Sequence, residues 1–208
     1  PGLTMMGACM LWVGWFGFNG GSALAANADA GMAILVTHIS ASVASLVWIV
    51  IEWLRFGKPS LVGVVTGAIA GLASITPASG FVGPLGAVLI GLISGYVCYE
   101  AVGIIKNKFK VDDSLDVFAV HGLGGTIGIL LLPFLISESF GGVGYGDGTF
   151  SSLMSAQVIG VIAVLVFTLV LSYLLAVITK SLVGIRVSDD QIEEGLDISS
   201  HGQSGYKL

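Results

Sequence analysis

Long apolar runs separated by short polar breaks set the pattern of this chain. Six runs approach the length a helix needs to cross a bilayer, roughly 20 residues. They cover about residues 4–26, 30–56, 60–79, 81–105, 115–136 and 151–183. A Gly-rich loop, 137–150, separates the last two, and beyond Gly184 the sequence turns abruptly polar and acidic. The pattern predicts an all-α, polytopic membrane helical bundle of about six transmembrane helices. It divides the chain into a transmembrane domain, 1–184, and a C-terminal tail, 185–208.

Composition sharpens this reading. Charged residues make up 10% of the chain, hydrophobic ones 55%, and the mean hydropathy is +0.97. A soluble domain covers its surface with about 25% charged residues, so this chain is not built to face water. Most of the formal net charge of -5 falls in the tail. The eight Lys and Arg are scattered and form no basic patch, which argues against nucleic acid as a partner. Cys9 and Cys98 lie inside apolar runs with no CxxC pair or metal-ligand spacing. They read as buried small hydrophobes, and no metal or cofactor is expected. The first run is preceded by neither Met nor a charged segment, so it is not a signal peptide. The expectation is a chain whose beginning is missing.

Positive charges orient the bundle. Arg55 and Lys58 lie between spans two and three, and Lys106, Lys108 and Lys110 between spans four and five. Lys180, Arg186 and Lys207 lie at or beyond the end of span six. Counted along the chain, all of these fall on one side, while the opposite loops carry Asp29, Glu138 and Asp147 and no Lys or Arg. Both chain ends are therefore expected in the cytoplasm. Gly63, Gly67 and Gly71 form two overlapping GxxxG motifs, and Gly17/Gly21, Gly91/Gly95 and Gly124/Gly128 repeat the spacing. Glycines four apart share a helix face and let a neighbouring backbone approach closely. The glycine-lined face of span three in particular expects a partner helix.

Ionisable residues inside spans mark functional candidates. Here they are His38, Glu52, Glu100, Asp116 and His121. Glu52, one turn from Arg55, reads as an interfacial acid, and Glu100 has no evident partner. Asp116 opens span five, where an acid can cap first-turn N–H groups. His38 has hydroxyl-bearing neighbours and reads as a packing residue. His121 could line a polar file, because neutral imidazole offers one donor and one acceptor without fixed charge. It could equally be satisfied by a carbonyl of a neighbouring helix. Phe18 and Ser22 share a helix face, a pairing suited to a small cation through cation–π attraction and a hydrogen bond. Taken alone, aromatic residues there also fit an interfacial belt.

Three segments carry a resemblance. Gly14-Trp-Phe-Gly-Phe-Asn-Gly-Gly-Ser22 resembles the sixth-helix signature of the ammonium transporter family (Amt, MEP and the related Rh proteins). Asp112-Asp-Ser-Leu-Asp-Val-Phe-Ala-Val-His-Gly122 resembles its tenth-helix signature. Gly184-Ile-Arg-Val-Ser-Asp-Asp-Gln191, Glu194-Gly-Leu-Asp197 and His201-Gly-Gln-Ser-Gly-Tyr206 look like its cytoplasmic tail. The similarity spans essentially the whole chain.

The resemblance implies an ammonium-transporter-like fold, with this chain supplying the second of two inverted halves plus the long final helix. Phe18 matches one of two stacked gating phenylalanines, Ser22 the serine of an outer cation site, and His121 the second of a pair of pore histidines. Trp15, Asp113 and Asp116 match supporting positions. His38 matches no pore histidine. In the tail, Gly184, Arg186, Asp190, Gly195 and Asp197 match regulatory positions. The first pore histidine, the other gating phenylalanine and the recruitment-site tryptophan fall outside the matched half. Transporters with inverted repeats bind between the repeats, so one half alone holds half a pathway.

The implied function is channel-like uptake of ammonium or ammonia across the cell membrane, not an enzyme. Deprotonation would occur at the outer site, with passage past Phe18 and along the histidines. The family also implies a homotrimer and a PII-type signalling protein at the cytoplasmic face. Alternatives are an ammonium sensor signalling through the tail, or an inactive fragment of the transporter. An intramembrane enzyme using His38, His121, Glu52 or Asp116 lacks any supporting motif.

Overall fold

The computed structural model describes residues 1–205. Lys207 and Tyr206, used above for orientation and the tail motif, lie outside the described residues. Six apolar helices occupy the expected positions: α1 (Gly2–Gly21), α2 (Ala28–Phe56), α3 (Leu61–Ile75), α4 (Pro84–Gly103), α5 (Gly124–Leu135) and α6 (Phe150–Leu182). A π-helical turn, Ile104–Lys108, extends α4, and another, Phe118–Leu123, leads into α5. Two short helices, α7 (Asp189–Glu194) and α8 (Leu196–Ser199), follow in the tail. No strand occurs among the described residues.

Local chemistry sets the boundaries. Asn27 and Ser60 cap α2 and α3 by accepting from Ala30 N–H and Gly63 N–H, and Pro84 opens α4 at a position where its missing N–H costs nothing. Gly57, at φ 77°, closes α2 in the left-handed conformation that glycine adopts without strain. The first helix ends at Gly21, earlier than its apolar run, as Ser22 turns its hydroxyl back to Phe18 O. Span five also starts late. Asp116 has φ +57°, which no helix continues, so the helical backbone begins two residues on.

Among the described residues, four helical segments are long and apolar enough to cross a membrane: Ala28–Phe56, Pro84–Lys108, Phe118–Leu135 and Phe150–Leu182. Helix α3 is apolar but has 15 residues, about 22 Å of helix, short of the roughly 30 Å hydrocarbon core. The expected six helices are thus present, while four of them combine spanning length with sufficient apolar character.

The chain falls into two compact units, Pro1–Val161 and Ile162–Leu208. In the first, α2 runs between α3 and α4, with α5 against α3 and α4. The glycines explain how. A Cβ on Gly67 would lie 2.8 Å from Trp48 Cβ, and one on Gly71 would lie 2.7 Å from Ala41 Cα. From the other side, a Cβ on Gly91 would lie 2.7 Å from Ser40 O, and one on Gly95 3.0 Å from Ala44 Cα. Small residues of α2 and glycines of both neighbours let three backbones meet closely, the packing expected where water drives nothing. The partner that α3 requires is therefore α2 of this same chain. Gly124 and Gly128 likewise face Ser74, but Gly17 and Gly21 have nothing within 4 Å.

The core of this unit centres on Val36, Ile75, Ile90, Leu132 and Leu135. The loop after α5 folds back over one end, where Val143 N–H donates to Phe81 O at 3.1 Å and Tyr145 Oη to Pro133 O at 2.6 Å. The second unit contains the distal part of α6 followed by α7 and α8. Ser188 and Gln191 form a capping box at α7, and Gln203 N–H donates to Asp197 O at 2.8 Å.

Candidate functional site

Trp15, near the middle of α1, brings the two sequence signatures together. Its indole lies nearly parallel to the His121 imidazole, with an interplanar angle of 16° and ring centroids 6.2 Å apart. The Phe18 ring meets the same indole edge-on at 6.4 Å. Trp15 Nε1–H donates to Thr76 Oγ1 at 2.7 Å, tying α1 to the end of α3. Phe18 and His121 are both exposed, Phe18 by 63%. Beside them, Gly7, Met10, Leu11, Gly14, Trp15 and Phe18 line an open apolar hollow of about 560 Å³.

His121 owes its placement to the π-helical turn, in which it lies. The wider turn shifts side-chain azimuth relative to an α-helix, a distortion common at functional positions. Asp113 anchors its start: Oδ1 accepts from Val117 N–H and Oδ2 from Phe118 N–H, both at 2.9 Å. The capping role expected of Asp116 thus belongs to Asp113. Asp116 instead pairs with Lys106, Oδ1 to Nζ at 2.7 Å, and its carbonyl accepts from Val120 N–H. The physical reason is its positive φ, which leaves its side chain outside capping position.

Ser22 donates to Phe18 O at 2.9 Å. Its proton is thereby committed inward, and its oxygen lone pairs remain available to accept. His38, exposed, sits beside Trp12 and Phe16 with ring centroids 5.4 and 5.9 Å away. Aromatic packing, rather than its hydroxyl neighbours, surrounds it: Thr37 donates to Ala33 O and Ser40 to Gly71 O.

A second cluster gathers at the end of the bundle that carries the basic loops. Arg55 pairs with Glu100, and its guanidinium lies 5.1 Å from the centre of the Tyr99 ring. Glu100 therefore has a partner that its sequence position did not reveal. Glu52 turns away from Arg55 and accepts from Ser60 N–H and Oγ. Glu52, Arg55, Glu100 and Asp116 border a cavity of about 370 Å³. Among the described residues, no group of three or more His, Cys, Asp or Glu is arranged to hold a metal ion. In the tail, Gly184 and Gly195 take positive φ, 78° and 92°. Asp190 and Asp197 lie in the first turns of α7 and α8, and Arg186 is exposed.

Thr76 and Lys106 were not among the sequence candidates. Thr76 is 61 residues from Trp15, and no spacing signals such a pairing. In the sequence Lys106 signals only its charge.

Comparison with known proteins gives a consistent result. The model of the Ammonium Transporter Family matches residues 1–206. The chain is 46% identical to ammonium transporter Amt1 of Archaeoglobus fulgidus, over 98% of this chain and 52% of that protein. It is 38% identical to the ammonium transporter of Bacillus subtilis, over 98% of this chain and 51% of the relative. Among solved structures it resembles a protein described as Sensor Amt Protein, with TM-score 0.84 and 32% identity over 94% of this chain and 48% of the other. It also resembles Saccharomyces cerevisiae Mep2, with TM-score 0.79 and 34% identity over 88% of this chain and 43% of the other. The chain spans about half the length of the relatives it matches. Members of the matched family are membrane transporters rather than enzymes, and the apolar helices make this a multi-pass membrane protein. The chain belongs to the ammonium transporter family.

Proposed function

We propose that this chain forms half of an ammonium conduction pathway, with Phe18, Ser22 and His121 along it and Trp15, Asp113 and Asp116 in support. The observation that carries the reading is the continuous run of rings Phe18–Trp15–His121 along one open face. Ser22 offers acceptor lone pairs to an ammonium ion whose charge is drawn to aromatic faces. Moving that charge through an apolar passage costs several kcal/mol. The ion therefore passes its proton to water at the outer site, ammonia moves past Phe18 and exchanges hydrogen bonds with His121, and the proton follows by a separate relay, so that charge crosses with it. The imidazole suits this task because it both donates and accepts.

The remaining features of the reading are a homotrimer in the cell membrane, with both ends of this chain cytoplasmic. The transmembrane domain is 1–184, and the tail, 185–208, receives a PII-type protein through Gly184, Arg186, Asp190, Gly195 and Asp197. The basic residues support the orientation, since Arg55, Lys106 and their partners gather at one end of the bundle. Names of relatives as ammonium transporters support transport over sensing.

Ammonium-evoked current in liposomes tests the proposal. The 208-residue chain is compared with the protein completed by an upstream family half, each with and without His121→Ala. Current in the completed protein that changes with the substitution is the expected result. Absence of both current and ammonium uptake from every form, with assembly verified, would refute transport.

A further inference from the structure

Tryptophan has a single polar atom, so its side chain can have only one directional tether. For Trp15 that tether is Thr76, whose Oγ1 accepts from Nε1 at 2.7 Å. The Thr76 hydroxyl is itself constrained, because it donates to Leu72 O one turn back at 2.8 Å. With its proton committed to the α3 backbone, Thr76 presents only lone pairs to the indole. Its β-branched side chain also has few rotamers in which to move. The restrained indole is the ring that stacks on His121 and meets Phe18 edge-on.

We propose that Thr76 is a positioning residue that sets the Trp15–His121 stack, acting through the Trp15 Nε1–H bond. Its consequence for transport rests on reading His121 as a pathway residue. Rotation of the indole would displace the surface on which the imidazole lies, and 1 Å of misplacement is enough to slow a positioned reaction strongly.

Three substitutions separate this role from simple packing. Thr76→Val keeps shape and removes the acceptor, Thr76→Ser keeps the acceptor, and Trp15→Phe keeps a ring and removes the donor. The full-length protein in lipid nanodiscs is labelled at Trp indole nitrogen and His ring carbon for NMR, and methylammonium uptake is measured in proteoliposomes. The indole signal absent from Trp15→Phe identifies Trp15, and the ring signal absent from His121→Ala identifies His121. In Thr76→Val both signals should move, the His121 shift reporting the changed ring current of the displaced indole. Uptake should fall about five-fold, the equivalent of one neutral hydrogen bond of roughly 1 kcal/mol. Thr76→Ser should restore signals and uptake, and Thr76→Val should add nothing in a Trp15→Phe background.

An unmoved His121 signal in Thr76→Val would overturn the proposal, as would multiplicative losses in the double variant. Should even the unsubstituted protein show no uptake, the transport reading fails separately. The His121 signal then still decides whether Thr76 sets the stack.

Discussion

The Trp15 indole and the His121 imidazole stand 16° from parallel, linking the first helix of the chain to the π-helical entry of α5. Stacking of this kind holds the imidazole plane against the indole face, while leaving both ring nitrogens at the edge for hydrogen bonding. The expected outcome is graded. Trp15→Phe, which keeps an aromatic face, should retain more ammonium flux than Trp15→Leu, which fills volume without one. Uptake rates at matched protein density check this, and equal losses would remove the stacked face from the account.

Close backbone packing predicts a strong effect at Gly71. An added methyl would collide with the Ser40 carbonyl and lie 2.7 Å from Ala41 Cα, neither of which is a flexible side-chain end. Gly71→Ala should destabilise the bundle by about 1–3 kcal/mol through overpacking. Thermal unfolding in detergent measures it, with Gly91→Ala, which would meet Ser40 O from the α4 side, expected to behave alike.

Asp113 holds two N–H groups at the start of the helix that carries His121. Its replacement by Ala should cost about 1–2 kcal/mol as a lost cap. Hydrogen exchange at Val117 and Phe118 should accelerate first, before that of the buried Ala119 and Val120. Uniform acceleration throughout the bundle would point to global destabilisation instead.

At Asp116 a backbone requirement and a charge requirement coincide. Its φ of +57° is tolerated by Asn and poorly by β-branched residues, and its carboxylate pairs with Lys106. Asp116→Asn should therefore perturb stability less than Asp116→Val, which loses the ion pair and adds backbone strain. Lys106→Met should resemble Asp116→Asn, at about 0.5–1 kcal/mol for a partly exposed pair. Detergent melting curves of the three variants give the ranking, and Asp116→Val matching Asp116→Asn would refute the strain component.

What the sequence by itself determined was the order of elements and their class. Run lengths and the scarcity of charge demanded membrane helices, and the glycine spacings marked the faces of α3 and α4 that approach another backbone. The motif residues were legible too, because Phe18, Trp15 and His121 sit in local signatures. The tertiary structure decided which groups meet. Asp113 rather than Asp116 caps the helix, since a positive φ cannot be read from residue type when the residue is not glycine. Glu100 found Arg55 and Thr76 found Trp15 because helix packing brings distant positions within hydrogen-bond reach, and linear spacing carries no trace of it. Periodicity records which side of a helix is apolar, whereas side-chain partners depend on crossing geometry between helices, which only the folded bundle contains.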